Sequence, residues 1–155
     1  MDDLDRRILT ELQRDATQAL DELARKVGSS KTPVWNRIKK LREAGVIRGQ
    51  VAILDPEAAG VATCFYVLVK TNSHDTGWLE KFLNAVQGQP EILEAHRLAG
   101  EIDYILKVRV PSPKDYDGFY RRLISEVSIY NVTSLLSMEE LKATTELPLS
   151  AARNA

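Results

Sequence analysis

The stretch that most constrains the fold lies between residues 20 and 45, where two short helices with a tight turn between them are predicted. Apolar residues at helical spacing indicate a helix over residues 20–27, and Gly28 follows where a left-handed C-terminal cap is expected. The next helix begins after Ser30, whose hydroxyl we expect to accept an N-cap hydrogen bond, with Pro33 in the first turn and Gly45 at the end. This arrangement predicts a helix-turn-helix.

The second of these helices has an apolar side and a polar, basic side. Val34, Ile38 and Leu41 fall at i, i+4 and i+7 and form the apolar stripe. The opposite side combines a hydroxyl, a carboxamide and positive charge, which suits a helix laid into the major groove of DNA. We expect base or groove-floor contacts from Lys31, Thr32, Trp35, Asn36 and Lys39, and phosphate contacts from Arg37, Lys40, Arg42 and Arg48.

For two of these side chains, the sequence predicts a more specific role. Asn36 is the candidate for a bidentate contact to adenine, because a carboxamide matches the donor and acceptor on the edge of that base. Trp35 has two equally supported roles, one in DNA contact and one as a partly buried anchor of the helix.

Positive charge is concentrated around this helix. Residues 25–50 contain eight basic residues and one acid, whereas residues 56–155 contain ten basic and thirteen acidic residues. The formal net charge of the whole chain is only −1. A local basic patch on a near-neutral protein favours a polyanionic partner, with a merely solvated helix face as the simpler alternative.

Several classes of protein are disfavoured by the composition. The single cysteine, Cys64, excludes an internal disulfide and a cysteine-based zinc site, and its apolar neighbours predict a buried thiol. No run approaches the roughly 18 apolar residues of a membrane helix, and the acidic N-terminus is unlike a signal peptide, so we expect a cytoplasmic protein. His74 and His96 have no nucleophile or metal-ligand spacing beside them, so no enzyme, metal or cofactor is expected.

The N-terminal third is completed by a first helix over residues 3–14 and by a wing. Residues 46–54 are predicted as a small hairpin or strand turning near Gly49, which gives a winged helix-turn-helix with Arg48 near phosphate. Pro56 and Gly60 then interrupt regular structure. We therefore divide the chain into a DNA-binding domain (1–54), a linker (55–61), a second domain (62–141) and a tail (142–155).

The second domain is predicted to alternate strands and helices. Strands are expected over residues 62–71, 92–98, 102–110 and 130–138, and helices over residues 77–86 and 113–125. The order β-α-β-β-α-β indicates a ferredoxin-like fold, and the whole chain is therefore of the α+β class. In the tail, a short strand is expected before Pro148.

This combination of domains resembles the Lrp/AsnC, or feast/famine, family of transcription regulators. The matching stretches are Leu4-Asp5-Arg6-Arg7-Ile8-Leu9, Thr32-Pro33, Leu41-Arg42-Glu43-Ala44-Gly45-Val46-Ile47 and Gly100-Glu101-Ile102-Asp103-Tyr104. The resemblance implies a RAM-type or ACT-like second domain that pairs subunits into dimers and assembles them further, often into octamers. It also implies a small amino-acid effector, bound between dimers near the loop that matches residues 99–104.

Recognition of an amino acid needs an acceptor for its ammonium group and donors for its carboxylate. The candidates are Gly100, Glu101, Asp103 and Tyr104 in the loop, and Thr133, Ser134 and Ser137 on or after the last strand. From spacing alone, the structural roles are favoured for Gly100 as a turn glycine and for Asp103 as a strand-start residue, while Tyr104 is equally plausible as a core tyrosine. The resemblance favours the ligand roles of Gly100 and Asp103.

The identity of the effector is a separate question. The segments 99–101, 116–120 and 144–149 look most like the branch of the family that contains cysteine-responsive regulators of cysteine detoxification, so cysteine is the first candidate. The expected function is sequence-specific regulation of transcription on double-stranded DNA. The alternative is an architectural DNA-binding protein with no effector.

Overall fold

The chain contains three helices followed by a β-α-β-β-α-β region. The computed structural model describes residues 1–72 and 75–149, so His74 lies outside the described residues. The elements are α1 (Asp3–Arg14), α2 (Leu20–Lys26), α3 (Lys31–Glu43), β1 (Thr63–Lys70), α4 (Thr76–Gly88), β2 (Ile92–Arg97), β3 (Tyr104–Val110), α5 (Pro113–Glu126) and β4 (Asn131–Leu136). The predicted α+β class and the order of the elements are confirmed.

The chain forms two compact units. We call Met1–Ala52, together with the segment that starts at Lys142, the helical unit, and we call Ile53–Leu141 the sheet unit. The C-terminal tail thus returns to the unit in which the chain begins. Among the described residues, no helix is long and apolar enough to cross a membrane.

The helical unit is built around the apolar faces of its three helices. Its core includes Ile8, Leu23 and Val34, each at most 1% exposed. The N-terminus of α1 is closed by a capping box, in which the carboxylates of Asp2 and Asp5 each accept the backbone N–H of the other residue. These caps and core contacts fix the orientation of α3.

The turn between α2 and α3 has the predicted glycine geometry. Gly28 adopts a φ of 67°, a conformation that glycine reaches without strain, and the N–H of Ser29 donates to the carbonyl of Ala24 at 2.9 Å. Ser30 occupies the N-cap position of α3, but its side chain makes no capping hydrogen bond, so that detail of the prediction is wrong. The N–H groups in the first turn of α3 therefore donate no hydrogen bond to the side chain of Ser30.

Two predicted strands are not formed. Residues 46–54, all within the described chain, pair with no other segment, and Val51, Ile53 and Leu54 are exposed. The predicted wing is therefore wrong, because an isolated apolar segment of this length has no partner strand to satisfy its backbone. Residues 142–149 likewise contain no strand before Pro148.

The sheet unit is a four-stranded antiparallel sheet in the order β2-β3-β1-β4. Helices α4 and α5 cover one face, and their apolar side chains interdigitate with alternate residues of the central strands. Val67, Leu106 and Phe119 are fully buried in this core. The order of strands is that of the ferredoxin-like fold inferred from the sequence.

The other face of the sheet carries no helix of the described chain. Tyr66 on β1 lies opposite Lys107 on β3 and opposite Leu135 on β4, so these three side chains share this face. Leu135 is 49% exposed and Tyr66 is 37% exposed. We call this surface the open face of the sheet.

Candidate nucleic-acid interface and ligand site

The outward side of α3 presents the polar side chains that the sequence predicted for DNA contact. Val34, Ile38 and Leu41 are buried, so Thr32 and Asn36, which are exposed, point away from the core of the helical unit. Within the described chain, neither side chain makes a hydrogen bond or ion pair. Their donors and acceptors are available to another molecule.

Trp35 is a half-exposed side chain on the outward side of α3. Its side chain is 53% exposed and lies outside the apolar core of the helical unit. The Nζ atom of Lys39 lies 5.8 Å from the centroid of its ring, within the range of a cation–π contact. Together with Ile38, Arg42 and Glu43, these two residues line a surface depression on one flank of α3. Of the two roles expected for Trp35, this exposure favours contact with DNA over anchoring of the helix.

Two of the predicted basic residues are engaged in ion pairs within the helical unit. The Nζ atom of Lys31 lies 3.0 Å from Oδ2 of Asp21 on α2. Arg37 lies on the side of α3 that faces α1, where its guanidinium contacts Asp2 and lies 3.0 Å from Oδ1 of Asp5. The hydrogen bond to Asp2, followed by that to Asp5, raises the pKa of Arg37. Arg37 therefore holds α3 to α1.

The remaining basic residues are exposed. Lys40 and Arg42 lie on the last turns of α3, and Arg48 lies in the irregular segment that follows. Lys39 has an acidic neighbour one turn away, with its Nζ atom 3.8 Å from Glu43, which is a weak pairing for exposed groups. The positive charge of these four side chains is accessible to phosphate.

A second candidate site lies at the loop between β2 and β3. Gly100 has a φ of 145°, a conformation that L side chains rarely adopt, and nothing lies within 4 Å of the position that a Cβ atom would take. The glycine is required by the backbone conformation and leaves its surroundings open. Glu101 projects from the same loop, its side chain 85% exposed, with Oε1 3.0 Å from Nζ of Lys70.

Asp103 holds this loop against the end of β1. Its carboxylate accepts the N–H of Thr71 at 2.8 Å, and its own N–H donates to the carbonyl of Val69 at 3.1 Å. Its carbonyl accepts the N–H of Leu98 at 2.8 Å, which closes the loop. Asp103 therefore has the structural role expected of a strand-start residue. Its hydrogen bonds fix the positions of Gly100 and Glu101 in the loop.

Tyr104 is a core residue. Its side chain is buried, with its ring centroid 4.6 Å from that of Phe82 and 5.9 Å from that of Trp78. Through these aromatic contacts, the ring of Tyr104 packs against α4 and joins that helix to the sheet. Of the two roles expected for Tyr104, the structure therefore shows the core role.

The hydroxyl groups of the last strand do not form one cluster. Thr133 lies on the open face, opposite Leu68, whereas Ser134 lies on the helix face and shares a hydrogen bond with the hydroxyl of Tyr116. Ser137 donates its N–H to the carbonyl of Cys64, at the opposite end of β1 from Lys70. Six residue steps separate Cys64 from Lys70, which is about 20 Å along the strand. Within one chain, Ser137 and Ser134 are therefore not brought to the loop.

Lys70 is the side chain at this loop that sequence reasoning missed. It lies at the end of β1 beside Glu101 and on the same face as Thr133. The sequence contains a signal for it, because Lys70 is a charged residue that directly follows the uncharged run Cys64–Val69. The loop edge thus contains a carboxylate, an ammonium group and a hydroxyl that are all accessible.

Comparison with protein families accounts for both units. The model of the AsnC-type helix-turn-helix domain matches residues 1–42. The model of the Lrp/AsnC ligand binding domain matches residues 64–147. The first match contains all of α3 except its last residue, and the second contains the loop between β2 and β3.

Similar proteins extend over nearly the whole chain. The glutamate uptake regulatory protein of Zymomonas mobilis is 44% identical over 96% of this chain and 91% of its own length. The DNA-binding transcriptional activator DecR of Escherichia coli is 43% identical over 96% of this chain and 99% of its own length. The leucine-responsive regulatory protein of Escherichia coli is 34% identical over 95% of this chain and 90% of its own length.

Solved structures agree with these matches. The AsnC family transcriptional regulator from Agrobacterium tumefaciens has a TM-score of 0.94 and 47% identity, covering 97% of this chain and 98% of its own. A transcriptional regulator from Neisseria meningitidis, in complex with L-methionine, has a TM-score of 0.91 and 30% identity, covering 96% and 97%. The relatives named here are transcription regulators rather than enzymes. The chain therefore belongs to the Lrp/AsnC family of DNA-binding transcription regulators, with the helix-turn-helix and ligand-binding domains of that family.

Proposed function

We propose that this protein reads specific DNA sites through α3 and that a small amino acid, bound at the loop between β2 and β3, alters its assembly on DNA. The observation that carries the DNA half is the exposed side of α3, where Asn36 and Thr32 are free of intrachain partners and accessible cations flank them. Asn36 contacts base edges, while Lys40, Arg42 and Arg48 contact phosphate. Arg37 is left out of the phosphate set because Asp2 and Asp5 hold it.

Replacement of Asn36 by alanine is expected to remove sequence preference. A bidentate contact from a carboxamide to adenine contributes about 1–3 kcal/mol of discrimination, so affinity for specific sites should fall roughly 5- to 150-fold. Affinity for random DNA, which depends on phosphate contacts and falls steeply with salt, should stay within about twofold. Titration of selected and scrambled duplexes at several salt concentrations measures both quantities.

A matched control is available in the sheet unit. Asn84 is an exposed asparagine on α4, so Asn84→Ala makes the same chemical change on a helix that does not belong to the helix-turn-helix. It should leave binding to both duplexes unchanged. Equal losses on specific and scrambled DNA in Asn36→Ala would contradict the assignment and make Asn36 a positioning residue.

The ligand half of the proposal is supported by the loop edge. Glu101 can accept the ammonium group of an amino acid, and Lys70 and the backbone N–H of Gly100 can donate to its carboxylate. Thr133 lies on the same face as Lys70. A regulator with 30% identity is known in complex with L-methionine. The resemblance of residues 99–101, 116–120 and 144–149 to the cysteine-responsive branch of the family keeps cysteine as the first candidate.

Binding of the effector is expected to raise thermal stability. An amino acid at 100 times its dissociation constant adds about 2.7 kcal/mol to the free energy of unfolding. We expect such a stabilisation with one or a few of the twenty amino acids, cysteine and methionine among them, and its loss in Glu101→Gln. Differential scanning fluorimetry of the wild type and the variant measures it.

The architectural alternative predicts a different outcome. If no amino acid changes either the melting temperature or the affinity for DNA, the protein binds DNA without an effector. Glu139→Gln serves as the control, since it removes the same charge from an exposed residue distant in sequence from the loop. This variant should keep the full stabilisation.

Self-association completes the proposal. One recognition helix reads only a few base pairs, so a dimer on paired half-sites is required for specificity. The exposed apolar residues of the open face, Tyr66 and Leu135, provide a surface through which two sheets can pack. Further assembly, up to octamers, would bring a second subunit over the exposed loop, and the complex would act on DNA in the cytoplasm.

A further inference from the structure

Lys39 is held in place by two side chains of its own helix. Its Nζ atom lies 5.8 Å from the centroid of the Trp35 ring, one turn before it, and 3.8 Å from Oε1 of Glu43, one turn after it. All three side chains are more than half exposed. Because a lysine side chain is otherwise flexible, these two neighbours restrict the directions in which Lys39 can point along α3.

Lys39 also lies beside Asn36, the residue assigned to base contact. Residues three positions apart are neighbours on the surface of a helix, and they are separated by about 4.5 Å along its axis. This distance is close to the rise of about 3.4 Å between successive base pairs of DNA. An α3 helix that brings Asn36 to one base pair in the major groove therefore brings Lys39 to an adjacent base pair.

The carboxylate beside Lys39 disfavours a phosphate contact for this lysine. Lys39 and Glu43 together carry no net charge, and Glu43 repels a phosphate group that approaches the ammonium group. Lys40, by contrast, is exposed and has no ion pair with another described residue. Lys40 thus suits phosphate, whereas Lys39 suits an uncharged group that presents hydrogen-bond acceptors.

The edge of a G·C base pair presents such acceptors together with a donor. In the major groove, guanine offers the acceptors N7 and O6, and cytosine offers its N4 amino group as a donor. The ammonium group of Lys39 can donate to guanine, and the carboxylate of Glu43 can accept from cytosine. An A·T pair would instead place the adenine amino group against the ammonium group and a thymine carbonyl against the carboxylate.

We propose that Lys39 and Glu43 read a G·C pair directly beside the A·T pair contacted by Asn36, and that Trp35 is a positioning residue that directs Lys39 to the guanine. The inference rests on the proposed function, because it specifies the sequence that α3 reads. Each half-site then contains adjacent A·T and G·C pairs.

The test compares discrimination between duplexes. Sites are selected by the wild type from random DNA, and the base pair at which Asn36→Ala loses preference marks the A·T position. The neighbouring G·C pair is then replaced by A·T, or its guanine by 7-deazaguanine, which lacks the N7 acceptor. We expect the wild type to prefer the G·C duplex over the A·T duplex roughly 5- to 150-fold, and to bind the 7-deazaguanine duplex more weakly than the unmodified one.

Two lysine variants separate base contact from phosphate contact. Lys39→Met removes the ammonium group and should abolish the preference for G·C. Lys40→Met makes the same change at an exposed neighbour, and it should weaken binding to all the duplexes by one factor and keep the preference. A G·C preference that persists in Lys39→Met would overturn the inference.

The roles of Trp35 and Glu43 are tested on the same duplexes. Trp35→Ala should reduce the G·C preference about two- to fivefold, the range of an exposed cation–π contact, and Trp35→Phe should restore most of it. Glu43→Ala should reduce the preference while it tightens binding to random DNA, because a negative charge is removed. Equal losses in both Trp35 variants would contradict positioning by the ring, and an unchanged preference in Glu43→Ala would contradict the contact with cytosine.

Failure of this inference is distinguishable from failure of the proposed function. Selected sites without a G·C pair beside the A·T pair would refute the reading by Lys39 and leave sequence-specific binding in place. A wild type that selects no sequence at all would refute the proposed function and this inference together.

Discussion

Phe119→Ala is expected to lower the free energy of unfolding of the sheet unit by about 3–5 kcal/mol, the range for removing a buried phenylalanine. The side chain of Phe119 is 0% exposed and lies within the core between α5 and the sheet, 5.6 Å from the ring of Tyr116. Its removal leaves a cavity that the fixed strands cannot close. Chemical denaturation followed by the fluorescence of the buried Trp78 measures the change.

A matched control variant distinguishes the free-energy cost of the cavity from the cost of removing apolar surface alone. Leu83 on α4 is 44% exposed, so Leu83→Ala removes apolar atoms that remain partly hydrated. We expect it to cost less than about 1 kcal/mol. A similar cost for the two variants would contradict the assignment of Phe119 to the centre of the core.

The second large effect concerns assembly. Leu135→Asp places a charge on the open face beside Tyr66, where the proposed dimer buries both side chains. An uncompensated carboxylate in such an interface costs about 3 kcal/mol or more, which weakens self-association at least a hundredfold. Sedimentation velocity over a range of protein concentrations should show dimers in the wild type and monomers in the variant.

The helix layer provides the control for this prediction. Leu83→Asp makes the same change on α4, on the covered side of the sheet, and should leave the dimer intact. If Leu83→Asp dissociates the protein while Leu135→Asp does not, subunits pair through the helices and the open face has another role.

The elements of the fold could be predicted because local signals agree with tertiary packing. The bounds of α1 match those expected, since its apolar spacing and its acidic cap are both encoded within fourteen residues. The exposed side of α3 follows in the same way from the stripe of Val34, Ile38 and Leu41. Each of these predictions depends on residues close together in the chain.

The contacts that the sequence did not predict depend on residues that are far apart in the chain. A basic side chain on a DNA-facing helix is expected to contact phosphate, and the ion pair of Arg37 with Asp2 and Asp5 depends on the packing of α1 against α3. The sequence groups Ser137 with Gly100 as an expected ligand residue, whereas the hydrogen bond from its N–H to the carbonyl of Cys64 places it at the other end of β1 within the chain. Neither contact has a signal within its own segment.

The helical unit is built from two stretches of the chain that the whole sheet unit separates in sequence. The N–H of Leu147 donates to Oε1 of Gln13 at 2.6 Å, and these two residues are 134 positions apart. The carbonyl of Leu149 accepts a hydrogen bond from Arg6 at 2.7 Å. Because residues 147 and 149 are synthesised after the sheet unit, the helical unit acquires these contacts only after the sheet unit has been synthesised.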